Sequence, residues 1–96
     1  MITKETLYQR REDIRRIAAH HGARNVRVFG SVVRGEAKQD SDLDLLIDVG
    51  SSTSSWFPAG LILELESLLS CRVEVVTEKA LNPELRERVL SEAMPI

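Results

Sequence analysis

A chain of 96 residues has the length for one domain, taken as residues 1–96, with a modest core and no room for a second. Its 43% apolar and 29% charged residues exclude disorder as the default, and a net charge of −2 argues against broad, direct binding of nucleic acid. No apolar run approaches the roughly 20 residues of a membrane span, MITKETLYQRRED is too polar for a secretory signal, and the lone Cys71 excludes an internal disulfide, so a cytoplasmic protein with no membrane association is expected.

Thr3 to His21 reads as one helix, because Leu7, Ile14, Ile17, Ala18 and His21 recur at helical spacing. Arg10, Arg11, Arg15 and Arg16 lie mostly off that stripe. Interleaved with Glu5, Glu12 and Asp13, they describe a solvated face better than a nucleic-acid surface. Gly22 suits the left-handed residue that closes a helix, and the adjacent His20 and His21 point in different directions, which argues against shared ligand use. Val26–Gly30 follows as a strand of β-branched and aromatic residues. Ser31–Arg34 is a single helical turn, Glu36–Ser41 a polar loop, and Leu43–Val49 a second strand.

Gly50 to Ser55 is a low-complexity connection expected to be poorly ordered. Trp56 and Phe57, just before Pro58, fit a staple or core contact better than the wall of a ligand site. Ala59–Ser70 is a second helix with an apolar stripe of Leu61, Ile62, Leu65, Leu68 and Leu69. Arg72–Thr77 is a short strand with Val73 and Val75 on one face and Glu74 and Val76 on the other. Asn82 and Pro83 open a last helix as N-cap and first residue; Leu85, Val89, and Leu90 or Met94 anchor it, and Pro95 stops it. The order α-β-turn-β-α-β-α predicts an α+β fold, a small mixed sheet with helices packed on it.

The chemistry concentrates between Val26 and Val49. Gly30 can take unusual dihedrals, and Ser31 brings a hydroxyl and backbone N–H groups to a turn suited to phosphate. Asp42 and Asp44 are two apart on a strand, so both carboxylates share one face with Cα atoms about 6–7 Å apart. Paired acids beside such a turn suit Mg²⁺, which takes few carboxylates and keeps its water, and two such ions can serve an in-line phosphoryl displacement. Glu74, on a separate strand, is the best third carboxylate; Asp48 lies roughly 13 Å along the strand from Asp44, and Asp40 sits in a loop. Asp40, Asp42 and Asp44 also match the opening of an EF-hand, but Leu45 stands where its glycine is required and Ser51 where its glutamate should be.

With Gly30-Ser31, ten intervening residues and Asp42-Leu43-Asp44, the stretch FGSVVRGEAKQDSDLDLLIDV resembles the signature of the DNA polymerase β-like nucleotidyltransferases, in particular the minimal nucleotidyltransferase (MNT) domains of prokaryotes. The resemblance extends to RVEVVTEKALNPELRERVLSEAMPI and so covers nearly the whole chain. It implies the polymerase β-like fold, with Gly30 and Ser31 on the triphosphate, Asp42 and Asp44 on Mg²⁺, and Arg34 meeting a phosphate or fixing the loop. The family's third acid is usually Asp in V-D-[LV]-V-T, whereas here it is Glu74, whose extra methylene reaches about 1 Å farther, a displacement that matters to catalysis. Domains of this kind resemble antitoxins that transfer AMP from ATP to a tyrosine of a helical HEPN-domain RNase toxin. The alternative is a non-catalytic module that neutralises its partner by covering it, and a small hydroxylated acceptor is a weaker third reading. Trp56, Phe57 and Met94-Pro95-Ile96 are candidate apolar contacts for a partner protein.

Overall fold

The computed structural model describes residues 2–96. The N-terminal helical stretch is two helices, α1 (Lys4–Gln9) and α2 (Arg11–His20), rather than one continuous rod. The chain leaves helical geometry at Arg10, with φ −100° and ψ 8°. The break lets both Leu7 and the Ile14/Ala18 stripe reach the core. Thr3 opens α1 as expected, its hydroxyl accepting the Thr6 N–H at 3.2 Å. Gly22 closes α2 at φ +86°.

Strand β1 runs Ala23–Phe29, three residues earlier than the β-branched run alone suggests. A short helix α3 (Ser31–Arg34) leads to β2 (Leu43–Val49). Helix α4 (Ala59–Leu69) then returns to β3 (Val73–Thr77), followed by a 3₁₀ turn at Glu78–Ala80 and helix α5 (Pro83–Glu92). A two-residue strand β4 (Met94–Pro95) ends the order. The sheet order is β3-β2-β1-β4, with β2 and β3 parallel and the pairs β1–β2 and β1–β4 antiparallel. The expected α+β fold with a mixed sheet is therefore what forms.

Strand β2 is central, which explains its nearly continuous apolar run: Leu43, Leu45, Leu46 and Ile47 are all buried. Leu43, Leu45 and Ile47 join Ile14, Ala18, Leu61 and Leu65 in the main core beneath α2 and α4. The opposite face of β2 carries Asp44, Leu46 and Asp48, by strand alternation. Asp48 is the strand-end charge expected, accepting from Arg27 at 2.8 Å and from Asn25 at 3.0 Å.

Three further expectations are corrected. The Gly50–Ser55 run is pinned: Gly50 N–H donates to Gly22 O at 2.8 Å and Ser54 N–H to His21 O at 3.2 Å. His21, on the apolar stripe as expected, is itself buried, with Nδ1 2.6 Å from Ser54 Oγ and Nε2 2.8 Å from Glu64 Oε1. Phe57 packs against the core, but Trp56 is 88% exposed and takes no part in a staple. In α5 only Val89 is buried, Leu85 and Leu90 remain exposed, and Met94 has left the helix for the sheet edge. Asn82 does cap α5, accepting the Glu84 N–H at 2.9 Å.

Candidate active site

The sheet register assembles the motif. Asp44 pairs with Phe29 of β1 on one side and with Glu74 of β3 on the other. Gly30 follows Phe29 directly, so the turn into α3 lies beside the Asp44 carboxylate. Gly30 is buried and adopts φ +81°, ψ −152°, and a Cβ there would collide with Asp44 Oδ2. The positive φ calls for glycine at this position, and any side chain there would have to push the Asp44 carboxylate aside. Asp42 stands two residues before Asp44, at the entrance to β2, and Ser31 is the first residue of α3.

The electrostatics are those of crowded acids. Burial, then the negative charges of Glu74 and Asp42 and a hydrogen bond with Glu74, push Asp44 up to about 6, while Arg34 pulls the other way. Glu74 stands level with Asp44 in the parallel register, near enough for its charge to act on that acid. Arg72 Nε lies 3.0 Å from Asp42 Oδ1, an ion-pair distance, but off the direction of a hydrogen bond, which leaves this buried oxygen without a hydrogen-bond partner among the described residues. Among the described residues, no three His, Cys, Asp or Glu side chains are already posed as a metal cage. The donor chemistry nonetheless suits a hard cation: oxygen ligands only, mutually repelling, one of them orphaned.

Arg34 is tied on both sides, Nε donating to Glu36 Oε1 at 2.7 Å and Nη1 to Glu92 Oε1 at 2.8 Å. These two bonds, that to Glu36 first, hold its guanidinium more firmly protonated than usual. The other Glu92 oxygen accepts the Gly30 N–H at 2.7 Å. Burial works to raise Glu92, yet its bonds to Arg34 and Gly30 prevail and keep it below the usual carboxylate range. Asp40 contributes a backbone carbonyl to Arg72. Glu92 and Arg72 are the site residues that sequence reasoning missed; each acts across a long loop and leaves no local pattern. A groove lined by Tyr8, Val28, Met94 and Ile96, among others, contains none of the motif residues.

The model of the nucleotidyltransferase domain family matches residues 10–95, nearly the whole chain. The chain is 36% identical over 80 residues to a candidate protein adenylyltransferase of Methanocaldococcus jannaschii, MJ0435, covering 83% of this chain and 86% of that one. It is 42% identical over 73 residues to the protein adenylyltransferase MntA of Thermococcus cleftensis, covering 76% and 74%. Among solved structures, a candidate minimal nucleotidyltransferase superposes with a TM-score of 0.84 at 52% identity, over 99% of this chain and 97% of that one. A toxin–antitoxin crystal structure with AMP-PNP shares the fold at a TM-score of 0.71 and 18% identity, over 91% of this chain and 69% of its own. By sequence and by fold, this chain belongs to the nucleotidyltransferase domain family.

Proposed function

We propose that the chain transfers AMP from ATP to a tyrosine of a HEPN-domain toxin, in the cytoplasm and with Mg²⁺, and so acts as an antitoxin. The single observation that carries this reading is the register row Phe29–Asp44–Glu74, which sets two acids side by side next to the Gly30 turn. Asp42, Asp44 and Glu74 are the residues that would hold the cation. Bound there, Mg²⁺ would neutralise charge on the triphosphate and on the reacting oxygens.

The residues of the chain divide the work. Gly30, Ser31 and Arg34 offer N–H, hydroxyl and guanidinium donors to the triphosphate. The acceptor hydroxyl oxygen bonds to the α-phosphorus as the bond to the pyrophosphate oxygen breaks. The hydroxyl proton leaves to a carboxylate, a role Glu74 can take as the most exposed of the three acids. The named relatives support a protein acceptor, since they are described as protein adenylyltransferases or as parts of toxin–antitoxin pairs.

A second reading, a binder that neutralises by covering, draws on two features: Arg34 is already paired with acids, and Glu stands where the family usually has Asp. Incubating the chain with ATP, Mg²⁺ and its partner, then weighing the partner, separates the two. A gain of about 329 Da, one AMP, abolished by Asp42→Asn with Asp44→Asn, is the expected result. Neutralisation that survives the double substitution with no mass gain would establish the binder.

A further inference from the structure

Glu92 makes a contact that the proposed reaction does not use. It sits on the last turn of α5, and its two carboxylate oxygens are divided between Gly30 N–H at 2.7 Å and Arg34 Nη1 at 2.8 Å. Its side chain is only 14% exposed. An ionised carboxylate bridging a backbone N–H and a guanidinium satisfies the same donors, with the same charge-assisted bonds, as two oxygens of a phosphate would. Gly30 has a single N–H, so a phosphate arriving there cannot be added to Glu92; it must replace it.

The charge balance agrees. Around the turn, Glu36, Asp42, Asp44, Glu74 and Glu92 outnumber Arg34 and Arg72. Arg34 is already oriented from within its own loop by Glu36. A second carboxylate on Arg34 therefore adds negative charge where a polyanion has to land.

We propose that Glu92 is an internal competitor for the triphosphate, occupying the Gly30 and Arg34 donors until a nucleotide displaces it. The proposal rests on reading Gly30, Ser31 and Arg34 as the nucleotide site. It makes nucleotide affinity depend on the fraction of chains in which Glu92 has let go. It also couples binding to the C-terminal segment, because the residues after Glu92 form β4 and Ile96 N–H donates to Val26 O at 3.1 Å.

The test is a calorimetric titration of the native chain, Glu92→Gln and Glu92→Ala with a non-hydrolysable ATP analogue and Mg²⁺, with melting curves confirming that each is folded. Both variants should bind roughly five- to tenfold more tightly than the native chain, and KM for ATP should fall by a similar factor. Unchanged or weaker binding by folded variants, beside measurable binding by the native chain, overturns the competitor and makes Glu92 a brace for the turn. If none of the three binds nucleotide, the nucleotide reading of Gly30–Arg34 fails and the competitor falls with it. A measurement on the native chain needs no substitution: the ¹³C carboxylate resonance of Glu92 should move toward that of a free glutamate on saturation with the analogue. A resonance that stays in place overturns the proposal.

Discussion

Asp44 holds its proton to about pH 6 because burial, Glu74 and Asp42 all disfavour its charge. In the unfolded chain the same group ionises near 3.8. The native state therefore binds the extra proton between these values, and unfolding releases it. Its contribution to stability is intact below about pH 4 and is lost as pH rises through about 6. Asp44→Asn removes this titration. Without divalent cation, the melting temperature of the variant relative to the native chain should climb in the variant's favour between pH 4 and pH 7; a difference that stays constant contradicts the assigned cause. Asp42 and Asp44 were legible in the sequence because strand alternation is local, and Glu74 because it sits in a short apolar strand of its own. Glu92 was not, since Gly30 and Arg34 lie 62 and 58 residues away from it.

At the scale of elements, the turn from α2 into β1 and the serine-rich run after β2 are one unit. His21 links them to α4 through Ser54 and Glu64, and its ring is almost fully enclosed. Composition alone describes Gly50–Ser55 as flexible because none of its partners are in the segment. The backbone bonds to His21 and Gly22 come from an element some thirty residues earlier. Replacing His21 by Ala removes two hydrogen bonds and leaves a gap, which should cost on the order of 1–3 kcal/mol. Amide hydrogen exchange should then quicken across residues 50–55 and leave β2 unchanged. Equal protection in native and variant chains would mean that the run is held by its backbone alone. β4 was illegible for a different reason: two residues carry no periodicity, and Pro95 reads locally as a helix stop.

Across the whole molecule, the sheet order β3-β2-β1-β4 gives each part of the site its place. The parallel β2–β3 pair, spanned by α4, brings Glu74 level with Asp44, and the antiparallel β1–β2 pair delivers the Gly30 turn to the same point. The fold was readable because its long apolar stripes and its motif spacing agree. What remained hidden were the long-range ties, Glu92 to Gly30 and Arg72 to Asp42, that only the closed sheet creates. In spite of its extra methylene, Glu74 is proposed to complete the acid cluster. Rates of AMP transfer by the native chain, Glu74→Asp and Glu74→Gln test it most directly. Glu74→Gln should lose about a hundredfold or more, and Glu74→Asp should retain transfer within about tenfold. Equal rates in all three would remove Glu74 from the mechanism.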